Sequence, residues 1–116
     1  MIKRRDSLEV AVNENMRGGD GHVRIEHILG KSELYEKGRL YARLIIKQGC
    51  SIGYHVHEGE METFYVISGT ATYNDNGTQT ELQCGDVAYT PAGSGHSIAN
   101  NGTEDLELIA LIVYEG

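Results

Sequence analysis

The stretch Gly49-Cys-Ser-Ile-Gly-Tyr-His55-Val-His57-Glu-Gly-Glu-Met-Glu62-Thr-Phe-Tyr-Val-Ile-Ser-Gly69 decides how this chain is read. On an extended strand His55 and His57 project to one face, about 6.6 Å apart along the backbone, so their imidazoles can converge on a single ion. Glu62 opens the next apolar run, Thr63 to Ser68, after a turn rich in Glu and Gly, and can return a carboxylate to the same pocket. A second block supplies a third imidazole: Gly85-Asp-Val-Ala-Tyr-Thr-Pro91-Ala-Gly93-Ser-Gly-His96-Ser-Ile-Ala-Asn100, in which His96 follows a Pro-Gly turn. Any one of these histidines alone is more often a hydrogen-bonded structural residue than a ligand. The set is different, because turning all four groups inward with no ion strands polar atoms at roughly 1 to 3 kcal/mol each. Three neutral imidazoles and a carboxylate suit Mn, Fe, Ni, Co or Zn, and an octahedral ion keeps two positions open.

Working outward, the chain has 15 glycines and one proline, no long helical periodicity, and many Val, Ile, Thr and Tyr. That composition predicts an all-β fold of short strands and tight turns. Val23, Ile25 and His27 alternate with His22, Arg24 and Glu26, and Leu40 to Ile46 alternates in the same way. Further strands are expected over 52–57, 63–68, 70–73, 78–82, 87–90, 96–100 and 106–114, with Asn76-Gly77 as a hairpin turn. About eight strands of this kind suggest a sandwich or barrel. Residues 31–37 are expected to form a short helical turn, residues 7–12 an edge strand or nothing, and Arg17 to Gly21 a flexible turn within an N-terminal arm of residues 1–21.

At 116 residues the chain is read as a single domain over 1–116, large enough to bury a core without staples. Ten bases against 17 acids give a net charge of −7, which argues against nucleic acid or an anionic membrane as partner. No apolar run is long enough to span a bilayer, and the basic opening lacks an apolar h-region, so a soluble, cytoplasmic protein is expected, with Cys50 and Cys84 reduced. Charge placement is uneven: residues 1–47 carry ten bases and seven acids, +3, whereas 48–116 carry ten acids and no base, −10. The two parts should attract each other, within one chain or between two.

Read together, the two blocks resemble the two sequence motifs of the cupin superfamily at all ten specified positions, and the 15 residues between Gly69 and Gly85 equal its shortest spacing. The motif core covers 49–100, somewhat under half of the chain. The resemblance implies a double-stranded β-helix, a jelly-roll-like barrel, with one divalent metal (Mn, Fe, Ni or Zn) held by His55, His57, Glu62 and His96. It implies turn roles for Gly49, Gly69, Gly85, Pro91 and Gly93. It also implies a homodimer, in which the basic arm of one subunit would pack on the acidic barrel of the other.

Phe64 and Val66 share the parity of Glu62 and are expected to line a substrate pocket, with His27 a further candidate. Glu58 and Glu60 read most simply as a solvated turn, although either could act as a mobile acid or base. Cupins with this ligand set include oxalate decarboxylases, dioxygenases, isomerases and proteins with no known catalysis, and one scaffold hosts many functions. The leading expectation is a metalloenzyme acting on a small oxygenated or carboxylated molecule; a non-catalytic ligand-binding or metal-holding module is the alternative. Bicupin oxalate decarboxylases place an arginine three residues before the first motif histidine. Here that residue is Ile52, so a second carboxylate would need Arg24, Arg39, Arg43 or a partner's arginine.

Overall fold

The computed structural model describes residues 1–116 as two antiparallel sheets facing each other. Ten strands run in chain order: β1 Val10–Glu14, β2 His22–Leu29, β3 Gly38–Ile46, β4 Ser51–Val56, β5 Glu60–Ser68, β6 Ala71–Asp75, β7 Thr78–Leu82, β8 Val87–Thr90, β9 Gly95–Ala99 and β10 Leu106–Tyr114. The large sheet has the order β1-β2-β3-β10-β5-β8 and the small one β4-β9-β6-β7. No helix is long and apolar enough to cross a membrane.

Register explains where the core is full and where it is open. Across the large sheet the inward row Ile25, Leu44, Leu108 and Val66 is made of large aliphatics, paired strand to strand. These side chains pack against Ile98 and Tyr73 of the small sheet, and all are buried. One row further along come His27, Ala42, Ala110, Phe64 and Ala88. Of this row His27 and Phe64 border the cavity described below, with Ile25 and Leu44 on one side of them and Leu40 and Ile112 on the other. Leu40, Ile112, Glu62 and Thr90 form the next row, and here the first site residue appears.

Several expectations change. There are ten strands where about eight were expected. The edge strand sought at 7–12 lies at Val10–Glu14 and pairs with β2 of the same chain, placing Ala11 and Met16 against the core. Residues 31–37 form successive turns and no helix, because Tyr35 and Glu36 take left-handed φ of 55° and 59°. The Arg17 to Gly21 turn is anchored: Ser51 N donates to Asp20 O at 2.9 Å, Asp20 N to Ser51 Oγ at 2.8 Å, and a 3-10 turn spans Met16–Gly18.

Charge pairing takes the first of its two expected forms, within one chain. The pairs Arg39–Glu60, Arg43–Glu107 and Lys47–Asp105 join the basic and acidic parts within one chain. Glu26, expected on the solvent face of its strand, is 3% exposed. Arg5 from the arm closes over it at 3.2 Å, and Arg24 bonds its other oxygen at 3.1 Å. Burial alone would raise the pKa of Glu26, but the two guanidinium bonds outweigh it and hold the carboxyl below its ordinary 4.5. A carboxyl with a lowered folded pKa contributes stability above its unfolded value and loses it as pH falls below that value. Replacing Glu26 with Gln should therefore flatten the loss of stability below pH 4.5. Because both arginines are about half exposed, the cost at neutral pH should be only about 1 kcal/mol, read from urea midpoints across pH.

Candidate metal centre

The site begins with an irregularity in β4. Ser51 and Ile52 pair with Ala99 and Ile98, but the next pair is His55 with His96, so β4 carries one more residue than β9 over this span. The bulge inverts the parity of the strand. Without it, the inward face of Ile52 would continue to Tyr54 and Val56; both are instead 48% exposed, while Ile52 is 3% exposed and His57 2%. Gly53 is what lets the bulge sit here: a Cβ on it would collide with the carbonyl oxygen of Arg17. Its own carbonyl accepts from His55 Nδ1 at 2.8 Å.

Each imidazole is oriented through Nδ1. His55 is held by the Gly53 carbonyl, and His57 by the Glu60 carboxylate at 2.8 Å. Both partners are pure acceptors, so both Nδ1 atoms carry the proton and both Nε2 atoms present lone pairs inward. His96 Nδ1 lies 2.7 Å from the Tyr73 hydroxyl and 3.0 Å from Thr90 Oγ1, either of which can take its proton. Phe64 stacks on the His96 ring at a centroid distance of 5.0 Å.

The inward atoms meet closely. His57 Nε2 lies 3.1 Å from both His55 Nε2 and His96 Nε2, and Glu62 Oε1 lies 3.0 Å from the Nε2 atoms of His57 and His96. All four donor atoms fall within 4.8 Å of one another. Lone pairs at such separations repel unless a cation or protons lie between them. With bonds of about 2.1 Å, neighbouring ligands stand about 3.0 Å apart in an octahedron and about 3.4 Å apart in a tetrahedron. The observed spacings match the octahedral value, so an ion held by these four residues could keep positions for a ligand. The cluster therefore fits one divalent transition ion, with no preference shown among Mn, Fe, Ni and Zn.

Electrostatics match this arrangement. When His57 is protonated its Nε2 donates to the Glu62 carboxylate, which lifts the pKa of His57 above 6.5, whereas burial lowers that of His55. Burial pushes Glu62 up, but its bonds to His57 and His96 more than offset this and keep the carboxyl below its usual range. Glu60 is held down to about 2 by the Arg39 guanidinium, which grips both its oxygens at 2.8 and 2.7 Å. Burial pushes the Tyr73 phenol up to about 12, so it stays a neutral hydrogen-bonding group.

The cluster opens into a cavity of about 240 Å³ lined by His55, His57, Glu62 and Phe64, with His96 beneath them. His27 lines this cavity as well. Val66 does not: it sits one row deeper, fully buried between Leu108 and the small sheet. Glu60 is no solvated turn residue, since Arg39 and His57 pin it. Of the cations proposed for a second carboxylate, Arg39 lines the cavity but is committed to Glu60, and Arg24 and Arg43 lie outside the barrel. They border a larger depression of about 820 Å³ on the outer face of the large sheet, where acids and bases neutralise each other. Sequence reading missed Arg17, Tyr73 and Thr90. The inward parity of Tyr73 with Ala71 was available as a signal; nothing local pointed to Arg17.

Residues 42–114 match the cupin domain family, and the chain belongs to that family. It is 41% identical over 113 residues to an oxalate-binding protein of Thermotoga maritima, covering 97% of this chain and 93% of that one. Among solved structures it superposes on one described as a predicted oxalate decarboxylase of Thermotoga maritima with a TM-score of 0.94 and 40% identity, over 98% and 99% of the two chains. A conserved-barrel cupin protein of Salinispora arenicola shares the fold alone, with a TM-score of 0.75 at 22% identity over 97% of this chain and 87% of that one.

The geometry ranks substitutions. His57→Ala and Glu62→Ala should each abolish most metal uptake, because each removes one of the four donors. Glu60→Gln keeps all four but weakens the acceptor at His57 Nδ1, and should lower metal affinity about ten- to hundred-fold. Tyr73→Phe should cost less, since Thr90 still faces His96 Nδ1. Metal content after dialysis against a graded chelator reads all four.

Proposed function

We propose that the protein is a metal-dependent cupin that binds a small carboxylate anion of the oxalate class inside its barrel. The observation that carries this reading is the four-donor cluster bordering a cavity of about 240 Å³. That volume is below the range of about 300 to 1,000 Å³ typical of drug-sized ligands. It suits an anion of a few heavy atoms. A bound divalent ion acts there as a Lewis acid that accepts a carboxylate oxygen. Similarity to the Thermotoga oxalate-binding protein over nearly its whole length supports the same class of ligand.

Binding is favoured over turnover by the state of the acids around the cavity. Glu62 belongs to the donor cluster and Glu60 is locked between Arg39 and His57, so neither is free to carry a proton to and from a substrate. Metal-loaded protein should bind oxalate by calorimetry, and the chelated protein should not. Stoichiometric release of carbon dioxide and formate from oxalate would move the reading to the decarboxylase. Cobalt-substituted protein with intense four-coordinate bands that azide and oxalate leave unchanged would sink both readings, because it would mean a closed tetrahedral site.

We place this cupin as one domain over 1–116, in the cytoplasm, where reduced Cys50 and Cys84 are the ordinary state. We further propose a homodimer, resting on the outer face of the large sheet and not on exchange of the N-terminal arms. The ion pairs within one chain remove the charge argument for exchange. Tyr65, Val87 and Tyr89 lie on the neighbouring strands β5 and β8 and are 50%, 61% and 58% exposed, an apolar row suited to a second copy. Sedimentation at micromolar concentration should give a dimer, and Tyr65→Lys should shift it to monomer with metal content unchanged. A wild-type monomer at low and moderate salt would overturn the proposal.

A further inference from the structure

We infer that Arg17 is the specificity residue of the barrel, and that its guanidinium meets the outer oxygens of a small dicarboxylate held at the metal cluster. This rests on the carboxylate-binding reading above and deepens it. Arg17 lines the same cavity as His55, His57 and Glu62. It forms no side-chain hydrogen bond or ion pair, unlike Arg39, whose fork is filled by Glu60. Arg17 is thus the available cation at the mouth of the site.

The backbone around it is built to hold it there. Arg17 takes left-handed φ 55° and ψ 31°, a conformation that residues other than Gly and Asn adopt mainly where their surroundings impose it, and it follows Asn15, at φ 49° and ψ 46°, which tolerates that conformation. The surroundings are explicit. Asn15 N donates to Gly21 O at 2.8 Å and Asn15 Nδ2 to Gly19 O at 3.1 Å, closing the loop on itself. Gly19 and Gly53 let the loop and β4 approach so closely that a Cβ on either would strike the other's backbone. The loop is therefore cinched to the strand two residues before His55. An unfavourable backbone held by that many contacts, with an unpaired cation at its apex, points to a ligand.

Charge selects the ligand. With a divalent ion in place, the two carboxylates Glu60 and Glu62 stand against the ion, Arg39 and Arg17, a surplus of two positive charges. A monocarboxylate cancels half of it, and a dianion such as oxalate cancels all of it. The planar guanidinium fork can also span two oxygens at once, which a point charge cannot.

The test is calorimetry of metal-loaded wild type, Arg17→Asn and Arg17→Lys with oxalate and with azide, alongside metal analysis of each. Asn tolerates left-handed backbone, so R17N should keep the fold and the metal. Oxalate should bind R17N about ten- to hundred-fold more weakly, the loss of a charge-assisted hydrogen-bonded pair. Azide, which ends at the ion, should weaken about fivefold or less, as for a solvent-screened charge. R17K should recover part of the oxalate affinity. Oxalate binding unchanged in metal-full R17N, or an equal loss for azide and oxalate, would overturn the role of Arg17 and leave the carboxylate reading standing. A metal-full wild type that does not bind oxalate would overturn both.

Discussion

Everything at the centre of this barrel depends on where the three Nδ1 protons go. A histidine can ligate an ion only through a nitrogen that carries no proton, and the fold settles which one by giving each Nδ1 an acceptor. For His55 and His57 that acceptor is a pure one, and for His96 it is a pair of hydroxyls able to accept or donate; with each Nδ1 donating, the Nε2 lone pairs point at each other and at Glu62. The acceptors come from three different places: a backbone carbonyl in a bulge, a carboxylate at the start of β5, and two hydroxyls on strands of opposite sheets. The barrel is thus the means of bringing unrelated segments to one point, and the apolar rows above and below keep water from competing for the same bonds.

The support extends outward in the same way. Glu60 holds His57, Arg39 holds Glu60, and Arg39 sits on β3, the strand that joins β2 to β10 in the large sheet. This chain of contacts means that sheet pairing and ligand orientation are not separate matters. A carboxylate between an imidazole and a guanidinium stays ionised, keeps its hydrogen bond to Nδ1 and adds electron density to the ligating nitrogen. It also explains why a glutamate in a Gly-rich turn is nearly buried, where residue type and position alone suggest a solvated surface.

How much of this the sequence reveals follows the range of the interactions. Strands such as Leu106–Tyr114 and Thr78–Leu82 are read directly because their cues, β-forming residues bounded by turn residues, are local. The four donors are read because they carry both residue type and spacing. The bulge at β4 leaves a weaker trace: Ile52 and His55 have opposite parity yet both must face inward, which demands one extra residue near Gly53. Val66 shows the limit of parity, since face alone does not say whether an inward residue borders the cavity, as Phe64 does, or lies packed beneath it.

The N-terminal arm is the part least visible to local rules and the one that completes the site. Its residues are polar and irregular, so hydrophobic periodicity assigns them no structure. Their order comes instead from glycines at 19, 21 and 53, whose missing side chains let the arm's turn close against β4 and Cys50. At Gly21 a Cβ would lie 2.5 Å from Cys50 Sγ, and at Gly19 and Gly53 it would meet backbone. Such close approach is a long-range requirement, satisfied by residues about 30 apart in the chain, and a glycine read in isolation signals only a turn. The same approach forces the bulge to be where it is, because the carbonyl of Arg17 occupies the space a regular strand with a side chain at 53 would need. The arm, the bulge and the inward turn of His55 therefore form one structural unit, and a barrel lacking the arm would lose the contact that turns His55 toward His57, Glu62 and His96.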